Sequence, residues 1–173
     1  MAGPKQCFIS YSHRDHEAFA RLLVHLKPVA HLYGFEIWHD RRLKPGYYWN
    51  DAIKTAIAGS DVLVGLITND FFASDYIWRE ELPAMVARHE NDGALLIPVI
   101  YRNSCWRGFF GAYIDAAPKN EKGNLVPVHD WRDRENALAV AANAIAGSIE
   151  DWFGVKPRPI FSPSPAPPRS GKP

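Results

Sequence analysis

Val62-Leu63-Val64-Gly65-Leu66-Ile67 is an unbroken apolar run, set between Ser60-Asp61 and Thr68-Asn69-Asp70. Its length suits a strand, and its lack of alternation means that both faces are covered, as in a parallel sheet. Working outward, Ala94 to Ile100 is a second fully apolar strand, and Phe35 to Trp38 is a shorter one. Cys7-Phe8-Ile9-Ser10-Tyr11 reads as a buried strand near the N-terminus, and Leu125-Val126-Pro127-Val128 as a last, fifth strand. Helical patterns separate them. Asp15 is expected to cap a helix with Phe19, Leu22, Leu23, Leu26, Val29 and Ala30 at three- and four-residue spacing; Pro28 is expected to kink or shorten it, and Gly34 to end it. Trp49 to Ala58 is helical, with Trp49, Ile53, Ala56 and Ile57 on one face. Ser74 caps a helix towards Glu90 that Pro83 is expected to interrupt, and Asp133 opens a final helix to Phe153. Strands alternating with helices imply parallel strands joined by right-handed crossovers, and five of them fit a flavodoxin-like three-layer α/β fold.

Composition bounds the function. The chain has 173 residues, with Lys+Arg 20 against Asp+Glu 19, so neither a strongly basic nucleic-acid binder nor an acidic disordered chain is expected. Cys7 and Cys105 are too few for a disulfide framework or a Cys-based zinc site, and the scattered His residues give no metal-ligand spacing. Met1 to Gln6 contains no apolar core, and no apolar run approaches the roughly 20 residues that span a bilayer. The expectation is a cytoplasmic protein with no membrane or nucleic-acid partner. Pro157, Pro159, Pro163, Pro165, Pro167, Pro168 and Pro173 crowd the end of the chain. This divides it into a folded body, 1–155, and a Pro-rich tail, 156–173, read as disordered or as a linker. Pro165-Ala166-Pro167-Pro168 also leaves open a ligand for an SH3-like module.

In a doubly wound sheet, ligands bind beyond the carboxyl ends of the strands. That edge carries Ser10 to Arg14, Trp38 to Asp40, Thr68 to Tyr76 and Tyr101 to Trp106. No GxGxxG, GxxxxGKS or HExxH occurs, and the end of the first strand lacks the acidic cluster of a response regulator.

Three blocks at this edge resemble a TIR domain of the bacterial type: Phe8-Ile9-Ser10-Tyr11-Ser12-His13-Arg14-Asp15; Trp38-His39-Asp40-Arg41 with Pro45-Gly46 and Trp49; and Ser74-Asp75-Tyr76-Ile77-Trp78-Arg79-Glu80-Glu81-Leu82. The resemblance covers about residues 6–153. It implies one of two functions. Some TIR domains are non-enzymatic adaptors or scaffolds that associate with other TIR domains. Others, several in bacterial antiphage defence, are NAD+ nucleohydrolases that release nicotinamide and leave ADP-ribose or a cyclic isomer. The enzymatic reading comes first, with NAD+ as substrate, no separate cofactor and no metal. It implies self-association, with a sensor domain or an activating protein as trigger. A remoter alternative is a nucleoside deoxyribosyltransferase-like enzyme.

The resemblance also assigns residues. The enzymatic branch carries a Glu in a pattern like S-x-W-x-x-x-E, and Ser74, Tyr76 and Glu80 stand at those offsets, with Tyr in place of Trp. Six residues on from Ser74 is Glu80, the expected catalytic residue. On an α-helix its neighbour Glu81 is turned about 100° away from the face shared with Tyr76. Nicotinamide is cationic in NAD+ and leaves as a neutral base, so one carboxylate that orients the ribose and stabilises an oxocarbenium-like transition state suffices. Ser10, Tyr11, Arg14, Asp40, Trp49 and Tyr76 are the expected substrate-binding residues, Tyr76 by stacking and Arg14 by meeting a phosphate. Plainer readings stand beside these: Tyr76 and Trp49 as core aromatics, Asp40 as a turn residue, and Arg14 as a partner of Asp15 or Glu17. Lys44, Pro45 and Gly46 lie in the loop that the family uses for self-association.

Overall fold

The computed structural model describes residues 2–39, 49–110 and 114–158. Four parallel strands, β1 (Gln6–Ser10), β2 (Glu36–Trp38), β3 (Val62–Ile67) and β4 (Leu95–Ile100), form a sheet in the order β2-β1-β3-β4. The helices are α1 (His16–Tyr33), α2 (Trp49–Ala58), α3 (Asn69–Ala73), α4 (Leu82–Asp92), α5 (Arg107–Phe110) and α6 (Arg134–Phe153).

The alternation of side chains along each strand sorts the apolar residues into two cores. Cys7 and Ile9 of β1 join Val62, Val64, Leu66, Ile97 and Val99 in packing against α1 and α6. Phe8 joins Leu63, Ile67, Leu96 and Ile100 against the other helices, through Ile53, Ile57, Phe71, Met85 and Phe110. The result is the three-layer α/β fold expected. β3 is buried at all six positions, as the unbroken apolar run predicted.

Several local expectations are corrected. Pro28 does not shorten α1, which runs unbroken to Tyr33 and closes on Gly34 at φ 74. Pro28 lies on the exposed side of the helix, where water can serve the carbonyl its missing N–H leaves. Asp15 makes no side-chain cap to α1; its Oδ2 accepts instead from Thr68 Oγ1 at 2.5 Å, tying the 3₁₀ turn His13–Asp15 to the residue that follows β3. The fifth strand is absent among the described residues. Beside β4, a single parallel bridge, Val99 to Ala117, takes the place of a ladder, and Leu125 makes only an antiparallel bridge to Lys119. Pro127 cannot donate to a ladder, and the chain turns at once into a 3₁₀ turn over Val128–Asp130.

The helical region after β3 also differs. Thr68 accepts from the Phe71 N–H at 3.0 Å and caps α3, an element not foreseen. Ser74 then caps a new helical stretch, its Oγ accepting from the Ile77 N–H at 3.3 Å. Pro83 does not interrupt this stretch, which continues to Asp92. It does so through a π turn over Ile77–Glu81, in which the Leu82 N–H donates to the Ile77 carbonyl five residues back. The ring of Pro83 would crowd the Arg79 carbonyl in regular α geometry, and the wider turn just before it relieves that contact.

Candidate functional site

A cleft of about 680 Å³ opens at the carboxyl edge of the sheet, a size suited to a small organic ligand. The end of β1 supplies Ser10 to Arg14, the start of α2 supplies Trp49 and Ile53, and the far wall comes from Asp70, Ser74, Tyr76, Ile77 and Glu81. Strand β1 lies between β2 and β3, and its end is held by the ladder to β3, where Ser10 pairs with Gly65.

The buried carboxylate of the cleft is Glu81. It is 7% exposed, and its Oε2 accepts a hydrogen bond from Ser10 Oγ, itself 1% exposed. A bond from a hydroxyl to a carboxylate contributes about 1.5–3 kcal/mol. Glu80 does not line the cleft. Its side chain is 37% exposed and pairs with Lys54 Nζ at 2.7 Å.

The π turn accounts for this exchange. Up to Trp78 the register is α-helical, with the Trp78 N–H on the Ser74 carbonyl at 2.9 Å. The turn that follows holds one residue more than an α turn. Glu81 therefore takes the angular position that the sixth residue after Ser74 would hold in an uninterrupted α-helix. Offset counting from Ser74 assumes 3.6 residues per turn throughout, and so it puts Glu80 on the side of the cleft that Glu81 occupies.

Tyr76 faces the same side. Its ring lies 4.3 Å from that of Trp49, at 48°, and its hydroxyl donates to Asn50 Oδ1 at 2.9 Å. Burial, with the charge of Glu81 next and those of Glu80 and Asp51 after it, pushes the phenol up to about 12. Tyr76 is thus a neutral donor and an aromatic wall, not a base. Trp49 is 51% exposed at the rim, so the core reading of Trp49 does not hold, whereas Tyr76 is half-buried between core and cleft.

The remaining expected residues divide. Arg14 stands at the rim with its side chain 83% exposed, and its guanidinium lies 3.8 Å from Asp70 rather than on Asp15 or Glu17. Tyr11 borders the cleft, but its ring is stacked on Phe19 at 3.9 Å, within the α1 core. Asp40, Lys44, Pro45 and Gly46 lie outside the described residues. Asp70 and Asn50 were not foreseen. Thr68-Asn69-Asp70 carries the signal for Asp70, a capping threonine with an acidic residue in the first turn. Burial raises the carboxyl of Asp15 above its ordinary range, against the opposing bond from Thr68. Among the described residues, no group of three or more His, Cys, Asp or Glu side chains could hold a metal ion, and no helix is long and apolar enough to cross a membrane.

The comparisons agree with this architecture. The chain is 31% identical over 168 residues to the uncharacterized protein y4lF of Sinorhizobium fredii (strain NBRC 101917 / NGR234), matching 91% of this chain. It spans about half of that relative's length, 51%. The fold is similar to that of the TIR domain of the Toll-related receptor TRR-2 from Hydra magnipapillata, with a TM-score of 0.57 and 18% identity over 83% of this chain and 97% of that one. A family model described as TIR domain matches residues 7–138, most of the folded body. The chain belongs to the TIR domain family.

Proposed function

We propose that this TIR domain is an NAD+ nucleohydrolase whose reacting-centre carboxylate is Glu81. One observation carries the reading: a buried carboxylate, fixed by Ser10 and flanked by the aromatic pair Trp49 and Tyr76, lies in the cleft at the carboxyl edge of the sheet.

The chemistry asks little more of the protein. The bond between the nicotinamide nitrogen and the ribose carbon breaks heterolytically, and the pyridinium takes the electron pair and leaves as neutral nicotinamide. Positive charge grows on the ribose, and a preorganised carboxylate stabilises it while accepting from the ribose hydroxyls. Water then adds to the ribose carbon and loses a proton, giving ADP-ribose; capture by a nucleophile of the substrate itself would give a cyclic isomer. The Trp49 and Tyr76 rings offer apolar faces to a substrate ring. Arg14 at the rim is a cation available to the pyrophosphate.

Self-association of TIR domains is part of the same reading, as is a place in antiphage defence or signalling under the control of a sensor or activating protein. The adaptor reading is favoured by a groove between Trp78, Leu82, Pro83, Val86 and Phe109, where Trp78 is 45% exposed. Concentrated protein is incubated with NAD+ and the products are separated by chromatography. Nicotinamide release that is lost in Glu81→Gln and kept in Glu80→Gln supports the enzyme. No release at any protein concentration, with TIR–TIR binding intact in Glu81→Gln, supports the adaptor.

A further inference from the structure

We propose that Ser10 is a positioning residue, acting on the reaction through Glu81 rather than by touching the substrate; the inference rests on the reading of Glu81 as the reacting-centre carboxylate. Ser10 was expected among the substrate-binding groups. Its hydroxyl instead donates to Glu81 Oε2, so its one proton is engaged within the protein.

The surroundings leave that hydroxyl little choice of direction. Ser10 is the last residue of β1, and at 1% exposure it is closed to bulk water. Its register partner on β3 is Gly65, whose side of the sheet it shares. That neighbouring position is packed already: a Cβ on Gly65 would come 3.0 Å from Ile67 Cδ1 and 3.7 Å from Phe71 Cζ. Ser10 therefore sits in a gap bounded by core side chains and open towards Glu81.

The two partners also differ in how firmly their backbones are held. Glu81 is carried by the π turn, where one extra residue stretches the helical hydrogen-bond pattern. Ser10 ends a strand whose ladder to β3 runs from Cys7 to Ser10 itself. The bond thus ties the less regular backbone to the more regular one and fixes the carboxylate against the sheet. A carboxylate that must meet developing charge works by being in place before the charge appears, so loss of the tie should reduce turnover more than binding.

The test compares Ser10→Ala, and Ser10→Cys as a variant of nearly conserved volume, with wild type and Glu81→Gln. Steady-state nicotinamide release from NAD+ is measured at one fixed protein concentration, and a melting curve is recorded for each protein. The expected result is a fall in kcat of about 10- to 100-fold in both Ser10 variants, the range for a misplaced catalytic group, with KM held within about two-fold. If Ser10→Ala melts below the assay temperature, Ser10→Cys decides. A raised KM at unchanged kcat would mean that Ser10 binds substrate directly and would overturn the proposal. So would full activity of both Ser10 variants beside an inactive Glu81→Gln, which leaves the enzymatic reading standing. A wild-type protein that releases no nicotinamide overturns both.

Discussion

Removing one residue from the Glu80-Glu81 pair gives the sharpest test of the π turn. Deleting Glu80 or deleting Glu81 yields the same chain, in which Arg79 is followed by a single glutamate and then by Leu82. The π turn holds one residue more than an α turn between Trp78, still in α register with Ser74, and Leu82, which bonds back to Ile77. With one residue fewer, that bond becomes an ordinary four-residue helical bond. Both flanks keep their places: Tyr76 stays against Trp49, and Leu82 and Met85 stay in the core. The surviving glutamate then stands six residues after Ser74 on a regular helix, at the angular position Glu81 holds now.

Restoring a regular turn before Pro83 brings its ring back against the carbonyl four residues earlier, at about 3 kcal/mol. The ion pair of Glu80 with Lys54 is lost, but its two side chains are 37% and 49% exposed, and pairs of that kind contribute about 0–1 kcal/mol. The bond from Ser10 is retained. For a chain of this length, 1 kcal/mol moves Tm by roughly 2–4 °C, so the deletion variant, about 3–4 kcal/mol less stable, should melt roughly 6–16 °C below wild type. It should retain NAD+ cleavage, whereas Glu81→Gln, which keeps the π turn and leaves Glu80 on Lys54, should lose it. The assay is nicotinamide release at matched concentration, with a melting curve for each protein. A deletion variant that folds and is inactive, beside an active Glu81→Gln, would refute the register argument.

Two further outcomes concern the scaffold. Leu63 is fully buried at the centre of β3, and Leu63→Ala should destabilise the fold by about 2–5 kcal/mol, read by urea denaturation with an unchanged slope; a loss under 1 kcal/mol would mean that the α2–α4 layer packs more loosely than described. Glu135 is bonded by Arg21 and, at 3.0 Å, by His25, which together hold its carboxyl down at about 2 against an ordinary 4.5. A depressed carboxyl contributes stability above its unfolded value and loses it as pH falls through the folded one. The Tm difference between wild type and Glu135→Gln should therefore shrink as pH falls from about 5 to 2, and a difference that stays flat over that interval would refute the pairing.

How much was legible follows from how local each cause is. The run from Val62 to Ile67 is a strand at the limits expected, because continuous apolar character and length suffice for a doubly covered strand. The last helix opens on Asp133, which accepts from the Asn136 N–H at 3.1 Å, and closes on Gly154 at φ 62; both signals lie within a turn of the ends they set. Pro28 could not be read in the same way. Whether a proline breaks a helix depends on which side of it faces water, and that side is set by the packing of Leu26, Val29 and Ala30. The run Leu125 to Val128 has the composition of a strand, but its place beside β4 is taken at Ala117 by the segment that precedes it.

The site shows the same division at finer scale. That the carboxyl edge would bring Ser10, Arg14, Trp49 and Tyr76 around one space follows from topology, and each of them borders the cleft. Which of two adjacent glutamates enters it does not follow from topology, since neighbours on a helix differ by about 100° and only the local turn decides. The deciding residue is not itself in the cleft. Pro83 stands two positions beyond Glu81, and its ring disfavours the regular turn that counting assumes. The clue was visible as a proline inside a helical pattern, but its natural reading is a break. A break would end the helix and leave the register before it unchanged, keeping Glu80 in line with Tyr76. A π turn keeps the helix and shifts the register by one, which puts Glu81 on Ser10 and Glu80 on Lys54. The two accommodations of one proline thus choose different carboxylates, and the backbone hydrogen bond from Leu82 to Ile77 marks which one the chain takes.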